Sequence, residues 1–339
     1  MGRARALALI ALGAAALAGA QASPPLFPVG IGPLPLTGES LEPERCGSCH
    51  REAHERWASS AHAKGLSNPV YEAEARHAGG LACARCHSPR HEVVADHGVD
   101  CATCHVRDGQ VLTSHAVETQ AHPTRQDPRL TDGTLCAACH QFDFAAAASD
   151  ERARYVADEP LQNTMEEWRS STAAANGRGC VDCHMDGHAF AGFDDRALLE
   201  KAVRVRIRAR RRGDQVLVNA SFLPRPELGH AFPTGDMFRV AILRIRLGDE
   251  ETTYELRRHF ATVSIEEPDG TVAFRVGQAA DTRVMPLPAA PRRVELSVPA
   301  AEGPLRWRLE LHRLPPALAE ARALEDTTRV IAQGRVAVR

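Results

Sequence analysis

Lysine is nearly absent from the 339 residues: it occurs only at Lys64 and Lys201, while arginine is abundant. The formal net charge is −2, and no stretch combines basic with aromatic residues, so the footprint of a nucleic-acid-binding protein is missing. After the N-terminus, no stretch approaches the roughly 20 apolar residues that a membrane-spanning helix needs. We therefore expect no nucleic-acid partner and no transmembrane segment in the mature chain.

The N-terminus has the pattern of a cleaved export signal. Arg3 and Arg5 precede an apolar run over residues 6–18, and small residues follow it. We assign residues 1–22 to a signal peptide, which predicts a periplasmic, secreted or cell-surface protein. Residues 23–43 are rich in proline and glycine, and they are expected to form an extended linker or an arm on a neighbouring subunit of a homo-oligomer.

Cysteine does not occur outside one repeated pattern, because all ten cysteines lie in five C-x-x-C-H motifs. This pattern is typical of covalent c-type haem attachment, in which the two thiols bind the porphyrin and the histidine binds the iron. The thioether cysteines are Cys46, Cys49, Cys83, Cys86, Cys101, Cys104, Cys136, Cys139, Cys180 and Cys183. The proximal histidines are His50, His87, His105, His140 and His184. Zinc sites or disulfides would not require a histidine after every second cysteine. The sequence therefore predicts five covalent haems c.

Large apolar side chains are sparse between residues 44 and 196, which carry all five motifs. Such a segment cannot build an ordinary core, so the haems are expected to replace it. Helical patterns occur at 51–66, 145–156 and 161–175, separated by glycine-rich stops such as 79–80. The second and third motifs are only eighteen positions apart. This short tether predicts that their haems are direct neighbours.

The pattern changes to period two after residue 196. Apolar residues at 203, 205, 207 and 209 alternate with arginines, which is typical of a strand with one buried face. Similar patterns predict strands at 215–222, 238–247, 252–265, 271–276, 292–298, 305–312 and 329–338, with a turn at 268–270 and a helix at 316–325. The predicted fold class is α+β and multidomain. A mostly helical and loop-rich haem domain (44–196) precedes an antiparallel, immunoglobulin-like β-sandwich (197–339).

Histidine is in excess, since eleven of the sixteen histidines lie outside the motifs. Histidine is a suitable second axial ligand, so the surplus favours haems with two histidine ligands. Met165 and Met185 are alternative ligands.

Five segments are distinctive: W-A-S-S-A-H-A at 57–63, G-V-D-C-A-T-C-H-V-R-D-G at 98–109, C-A-A-C-H-Q-F at 136–142, Q-N-T-M-E-E-W at 162–168 and G-H-A-F-P-T-G at 229–235. They resemble a family of exported multihaem c-type cytochromes related to the nitrifier tetrahaem cytochrome and the hydroxylamine oxidoreductase group. The resemblance covers about residues 43–236. It implies that the distal iron ligands are His62, His115, His122, His188 and His230. His54, His77, His91 and His97 are secondary candidates, and His259 and His312 are expected to be structural.

The resemblance implies electron transfer between donor and acceptor proteins, and we expect a carrier without catalytic residues. One alternative is an enzyme that acts on a small nitrogen or sulfur oxyanion at one five-coordinate haem. No C-x-x-C-K motif of the nitrite reductase kind supports it, and neither Tyr71, Tyr155 nor Tyr254 lies in a segment resembling the cross-linking tyrosine of hydroxylamine oxidoreductase. A second alternative is a subunit of a larger electron-conducting assembly.

Overall fold

The structure is a computed structural model that describes residues 41–78, 81–90, 97–119, 121–144, 155–266 and 270–339. The predicted signal peptide, nearly all of the predicted linker, the stop at 79–80, His91, most of the predicted helix at 145–156 and part of the predicted turn at 268–270 lie outside these ranges. Among the helices in the described residues, none is both long enough and apolar enough to cross a bilayer.

The segment that carries the motifs consists of short helices joined by loops. They are α1 (Pro43–Gly47), α2 (Arg51–Ala58), α3 (Pro69–Ala78), α4 (Leu81–His87), α5 (Cys101–His105), α6 (Thr134–His140), α7 (Thr164–Arg169), α8 (Thr172–Ala175), α9 (Val181–His184) and α10 (Arg196–Glu200). Short strands, which the sequence analysis did not predict, lie between them: β1 (Val106–Arg107), β2 (Gln110–Thr113), β3 (Thr124–Gln126), β4 (Gln141–Asp143), β5 (Pro160–Asn163), β6 (Met185–Asp186) and β7 (Ala189–Phe190). Helices this short are marginal by themselves and need tertiary partners.

Two predicted helices are shorter than expected, and serine side chains explain where they break. The helix predicted at 51–66 ends at Ala58, and Ser60 Oγ then accepts a hydrogen bond from Ala63 N at 3.2 Å in the turns that follow. The helix predicted at 161–175 is a strand followed by α7 and α8. Ser171 caps α8 by accepting from Ala174 N, so a new helix begins where the prediction continued the old one.

Within its described residues, 197–266 and 270–339, the strand-rich segment contains nine longer strands and α11 (Pro316–Ala321). The strands are β8 (Val203–Arg212), β9 (Gln215–Pro224), β10 (Val240–Leu247), β11 (Glu250–Leu256), β12 (Arg258–Glu266), β13 (Val272–Asp281), β14 (Arg292–Pro299), β15 (Leu305–His312) and β16 (Thr328–Val336). They form a three-stranded sheet in the order β14-β9-β8, a four-stranded sheet in the order β11-β10-β15-β16, and the hairpin β12-β13. All of these pairings are antiparallel.

The two larger sheets share one hydrophobic core. Together with the short helices of the motif segment, these antiparallel sheets give the chain an α+β architecture. Alternate residues of β9, including Val218 and Phe222, are fully buried and belong to the same apolar cluster as Leu243 and Ile245 of β10. The arginines of β8 lie on its outer, exposed face, as the period-two pattern predicts.

One strand prediction was wrong, because residues 252–265 form two strands instead of one. The break occurs at Arg257, whose backbone N–H donates to Thr282 Oγ1 at 3.1 Å, while Thr282 N donates to the Arg257 carbonyl at 3.0 Å. These bonds take the place of the backbone hydrogen bonds between strands of the four-stranded sheet. The chain then continues into the separate β12-β13 hairpin.

Candidate cofactor site

A single branched cavity of about 3290 Å³ runs along the motif segment and reaches the strand-rich segment. All ten motif cysteines and all five motif histidines line this cavity, and none of the cysteines forms a disulfide. Pockets for one small ligand have volumes of about 300–1,000 Å³. Divided among five motifs, the cavity provides roughly 660 Å³ for each one. Its size therefore fits one large cofactor per motif.

Three of the motif histidines are oriented through their Nδ1 atoms. After the third and fifth motifs the chain turns back in a small hairpin, β1-β2 or β6-β7. Each hairpin brings a carbonyl oxygen, seven residues after the motif histidine, against the ring of that histidine. His105 Nδ1 lies 2.9 Å from Leu112 O, and His184 Nδ1 lies 2.9 Å from Ala191 O. His87 Nδ1 lies 3.2 Å from Gly65 O. An Nδ1–H that donates to a carbonyl leaves Nε2 as the free metal-binding atom.

Four motif histidines face a second histidine across the cavity. The ring centroids are 6.3 Å apart in the pair His50–His122, 6.4 Å in His140–His62, 5.9 Å in His105–His188 and 5.9 Å in His184–His230. A metal bound to two imidazoles at about 2 Å from each nitrogen would separate the ring centroids by about 6 Å. The donor type and the spacing therefore fit haem iron with two axial histidines.

The described residues contain no such pair at the second motif. The ring beside His87 is that of Tyr71, at 4.6 Å between centroids, which is too close for a metal to lie between the rings. Among the described ring contacts, no second histidine faces His87. His115, the fifth predicted distal ligand, is exposed on the cavity wall with its Nδ1 3.2 Å from Ser114 Oγ, and no described contact joins its ring to a motif histidine. The role of His115 remains a prediction.

The secondary candidates have other environments. His97 Nε2 lies 2.9 Å from Glu42 Oε2, and His54 packs on Trp57 with its Nε2 buried and without a hydrogen-bond partner among the described residues. His77 lies on α3. His259 bonds to Thr282 Oγ1 and His312 to Thr328 Oγ1, both at 2.9 Å, consistent with structural roles. Met165 and Met185 both line the cavity.

Burial lowers the pKa of three of the facing histidines. Together with the neighbouring His140, His87 and His184, it lowers the pKa of His62 to about 4. Burial also lowers the pKa of His188 and of His230. A neutral imidazole keeps a lone pair for a metal, so these side chains are in the protonation state that ligation requires.

Thiol contacts give the order of the motifs in space. Cys46 is hydrogen-bonded to Cys101, Cys86 to Cys139, and Cys136 to Cys180. The first motif therefore touches the third, and the fourth touches both the second and the fifth. Cys104 of the third motif acts electrostatically on Cys136 of the fourth. No described thiol contact joins the second and third motifs, and the predicted proximity of their haems stays a prediction.

Comparison with known proteins gives one informative similarity. No protein-family model and no curated protein matches the chain. Among solved structures, the chain is similar to a penta-heme cytochrome c552 from Thermochromatium tepidum, with a TM-score of 0.60 and 19% sequence identity. The match covers 86% of this chain and 98% of that chain. At this identity the likeness establishes a shared fold, which spans both the motif segment and most of the strand-rich segment.

Proposed function

We propose that this chain is a five-haem c-type cytochrome that transfers electrons between partner proteins. The observation that carries this proposal is that all five C-x-x-C-H motifs open onto one cavity in which four motif histidines face a second histidine. The fold shared with a penta-heme cytochrome supports it. Haem supplies one-electron exchange between ferric and ferrous iron.

The side chains around the cavity have three tasks in this function. The motif cysteines would anchor each haem, the motif histidines would bind one face of the iron, and His62, His122, His188 and His230 would bind the opposite face. Iron with both axial positions filled by protein has no place for a substrate. The lowered pKa values of His62, His188 and His230 therefore favour a carrier over an enzyme at the motifs that these side chains face.

The motif order supports a continuous electron path. The first motif contacts the third and the fourth contacts the second and fifth, while the third and fourth lie close enough to interact electrostatically. We propose that electrons pass through the fourth motif as a junction, with entry and exit at the others.

We further propose the finer organisation that the sequence suggests: a haem domain over 44–196, a sandwich domain over 197–339, and a periplasmic or cell-surface location. The strand orders β14-β9-β8 and β11-β10-β15-β16 support an immunoglobulin-like sandwich, because the chain crosses between two antiparallel sheets with a shared core from β9 to β10 and from β14 to β15. Relationship to the hydroxylamine oxidoreductase group is part of the same proposal. Light scattering of the holoprotein tests the alternative, which is a homo-oligomer or a subunit of a larger electron-conducting assembly.

A second candidate function rests on the second motif. The described ring beside His87 is that of Tyr71, and we propose that a haem bound there would act on a small nitrogen or sulfur oxyanion. Electron paramagnetic resonance of the oxidised holoprotein distinguishes the two functions. A carrier gives low-spin signals that nitrite and hydroxylamine leave unchanged, whereas a high-spin signal altered by either ligand establishes the second function.

The proposal itself is tested by the number of haems. The mass of the holoprotein should correspond to the chain plus five covalent haems, and pyridine haemochrome analysis should give the same count. Fewer than five would contradict the assignment of every cysteine pair to a haem.

A further inference from the structure

The loop that carries His230 connects β9 to β10 and belongs to the strand-rich segment. His230 is 5.9 Å from His184 between ring centroids, and burial lowers its pKa. Its Nδ1 lies 3.0 Å from the carbonyl of Ala231, the next residue. That local contact does not fix where the loop lies relative to the motif segment. The position of the ring therefore depends on contacts elsewhere in the loop.

Glu167 of α7 supplies those contacts from the motif segment. Its side chain is 2% exposed, and its Oε2 accepts hydrogen bonds from Ala231 N at 3.2 Å and Thr234 Oγ1 at 2.8 Å. Thr234 is also bonded to Thr164 on the same helix, at 2.9 Å. One carboxylate oxygen thus holds the loop both immediately after His230 and four residues after it.

The other carboxylate oxygen of Glu167 lies 2.7 Å from Arg283 Nη1, in an ion pair that is itself buried. Arg283 also pairs with Asp281 at 2.8 Å and reaches the Pro233 carbonyl at 3.4 Å. Burial alone would lower the pKa of Arg283, but Asp281 and Glu167 outweigh it and raise that pKa. Removing one member of such a buried group leaves an uncompensated charge, so each carboxylate has a large effect on the group.

We propose that Glu167 is a positioning residue for His230 as the distal ligand of the fifth motif, and that its buried negative charge lowers the reduction potential of the iron held there. This inference rests on the proposed haem function. The hydrogen bonds fix the loop, and the charge stabilises the ferric state, which carries one more positive charge than the ferrous state. Both effects are strong in a buried site, where charge interactions are screened little.

The two effects can be separated with three variants of the holoprotein. Glu167→Ala removes both the acceptor and the charge, whereas Glu167→Gln keeps an acceptor and removes the charge. Glu166→Gln is the matched control, because the adjacent Glu166 is exposed and pairs with Arg169 on the surface. His230→Ala serves as the reference, because the low-spin resonance that it abolishes belongs to the fifth haem.

We expect Glu167→Ala to convert part or all of that same resonance, one of five haems, to a high-spin signal. Glu167→Gln should retain the low-spin resonance, and its potential in an electron-paramagnetic-resonance-monitored redox titration should rise relative to wild type. Glu166→Gln should match wild type in both measurements. If the Glu167→Ala protein does not accumulate with five haems, the proposal is tested by the reduction potential of the Glu167→Gln protein alone.

An unchanged potential in Glu167→Gln overturns the role of the charge. An unchanged low-spin resonance in Glu167→Ala overturns the positioning role. If His230→Ala itself leaves every low-spin resonance intact, the ligand assignment fails, and with it this inference. A count of five haems with reversible reduction would still support the carrier function in that case.

Discussion

The Asp100 carboxylate joins the third haem motif to the rest of the motif segment. It is the N-cap of α5, where its Oδ1 accepts from Thr103 N and from Thr103 Oγ1, both at 2.8 Å. Its Oδ2 lies 3.0 Å from Arg90 Nη1, and both side chains are at most 2% exposed. Arg90 in turn donates to the Leu41 carbonyl at 3.1 Å. Substitution of Asp100 should therefore affect a helix cap and a buried ion pair together.

The expected magnitude follows from these two contacts. Removing one partner of a buried ion pair costs about 3–5 kcal/mol, because the remaining charge is left without compensation. Loss of an aspartate cap alone costs about 1 kcal/mol. We expect Asp100→Ala, which loses both contacts, to lower the free energy of unfolding by about 4–6 kcal/mol. Asp100→Asn keeps a good capping side chain, so it should be less destabilised than the alanine variant by about 1 kcal/mol.

Guanidinium unfolding of the holoprotein, followed by tryptophan fluorescence, measures these differences, provided that the dependence on denaturant is unchanged. Asp132→Ala is the control, because the exposed Asp132 accepts from Thr134 N at 2.8 Å beside the helix of the fourth motif. It should cost no more than about 1 kcal/mol. If Asp100→Ala and Asp132→Ala have equal free energies of unfolding, the buried ion pair between Asp100 and Arg90 does not stabilise the fold by the expected amount.

Three further outcomes are expected. Arg239 lines the cavity, and no ion pair of its side chain is found among the described residues, so Arg239→Gln should lower the potential of one haem by removing a cation from the cavity wall, and Arg239→Lys should restore it. His122→Ala should convert one of five haems to high spin in electron paramagnetic resonance, whereas His259→Ala should not, because His259 is bonded to Thr282. Phe222→Ala should cost about 3–5 kcal/mol in guanidinium unfolding, while Phe274→Ala, at a side chain that is 73% exposed, should change stability by less than about 0.5 kcal/mol.

The strand-rich segment could be predicted well because its core is made of its own side chains. Alternation of apolar and polar residues reports directly which strand face is buried, and the strand predicted at 305–312 has the bounds of β15. The failure at 252–265 shows the limit of that signal. The alternation of apolar and polar residues continues unchanged where the chain leaves one sheet and enters a separate hairpin. The hydrogen bonds at this break join Arg257 to Thr282, which lies in a distant part of the sequence.

The motif segment could be predicted only where the chemistry is local. A C-x-x-C-H motif contains its own thiols and its own proximal histidine, so the sequence alone predicts where each proposed haem would be attached. Glu167 gave no such signal: it lies in the Q-N-T-M-E-E-W segment, but its contacts with Ala231 and Thr234 come from another part of the chain. Residues that hold a ligand from a distance need the tertiary structure to be identified.

The two histidines before β3 illustrate the same limit at closer range. The resemblance assigned equal weight to His115 and His122, which lie in one loop between β2 and β3. Parallel pairing of Val111 with Thr124 turns the loop back on itself, and Thr124 Oγ1 donates to the Val117 carbonyl. His122 consequently lies against His50, while His115 is exposed beside Ser114. Which of two nearby histidines faces a motif is therefore decided by how the intervening loop closes, and that closure has no periodic signature in the sequence.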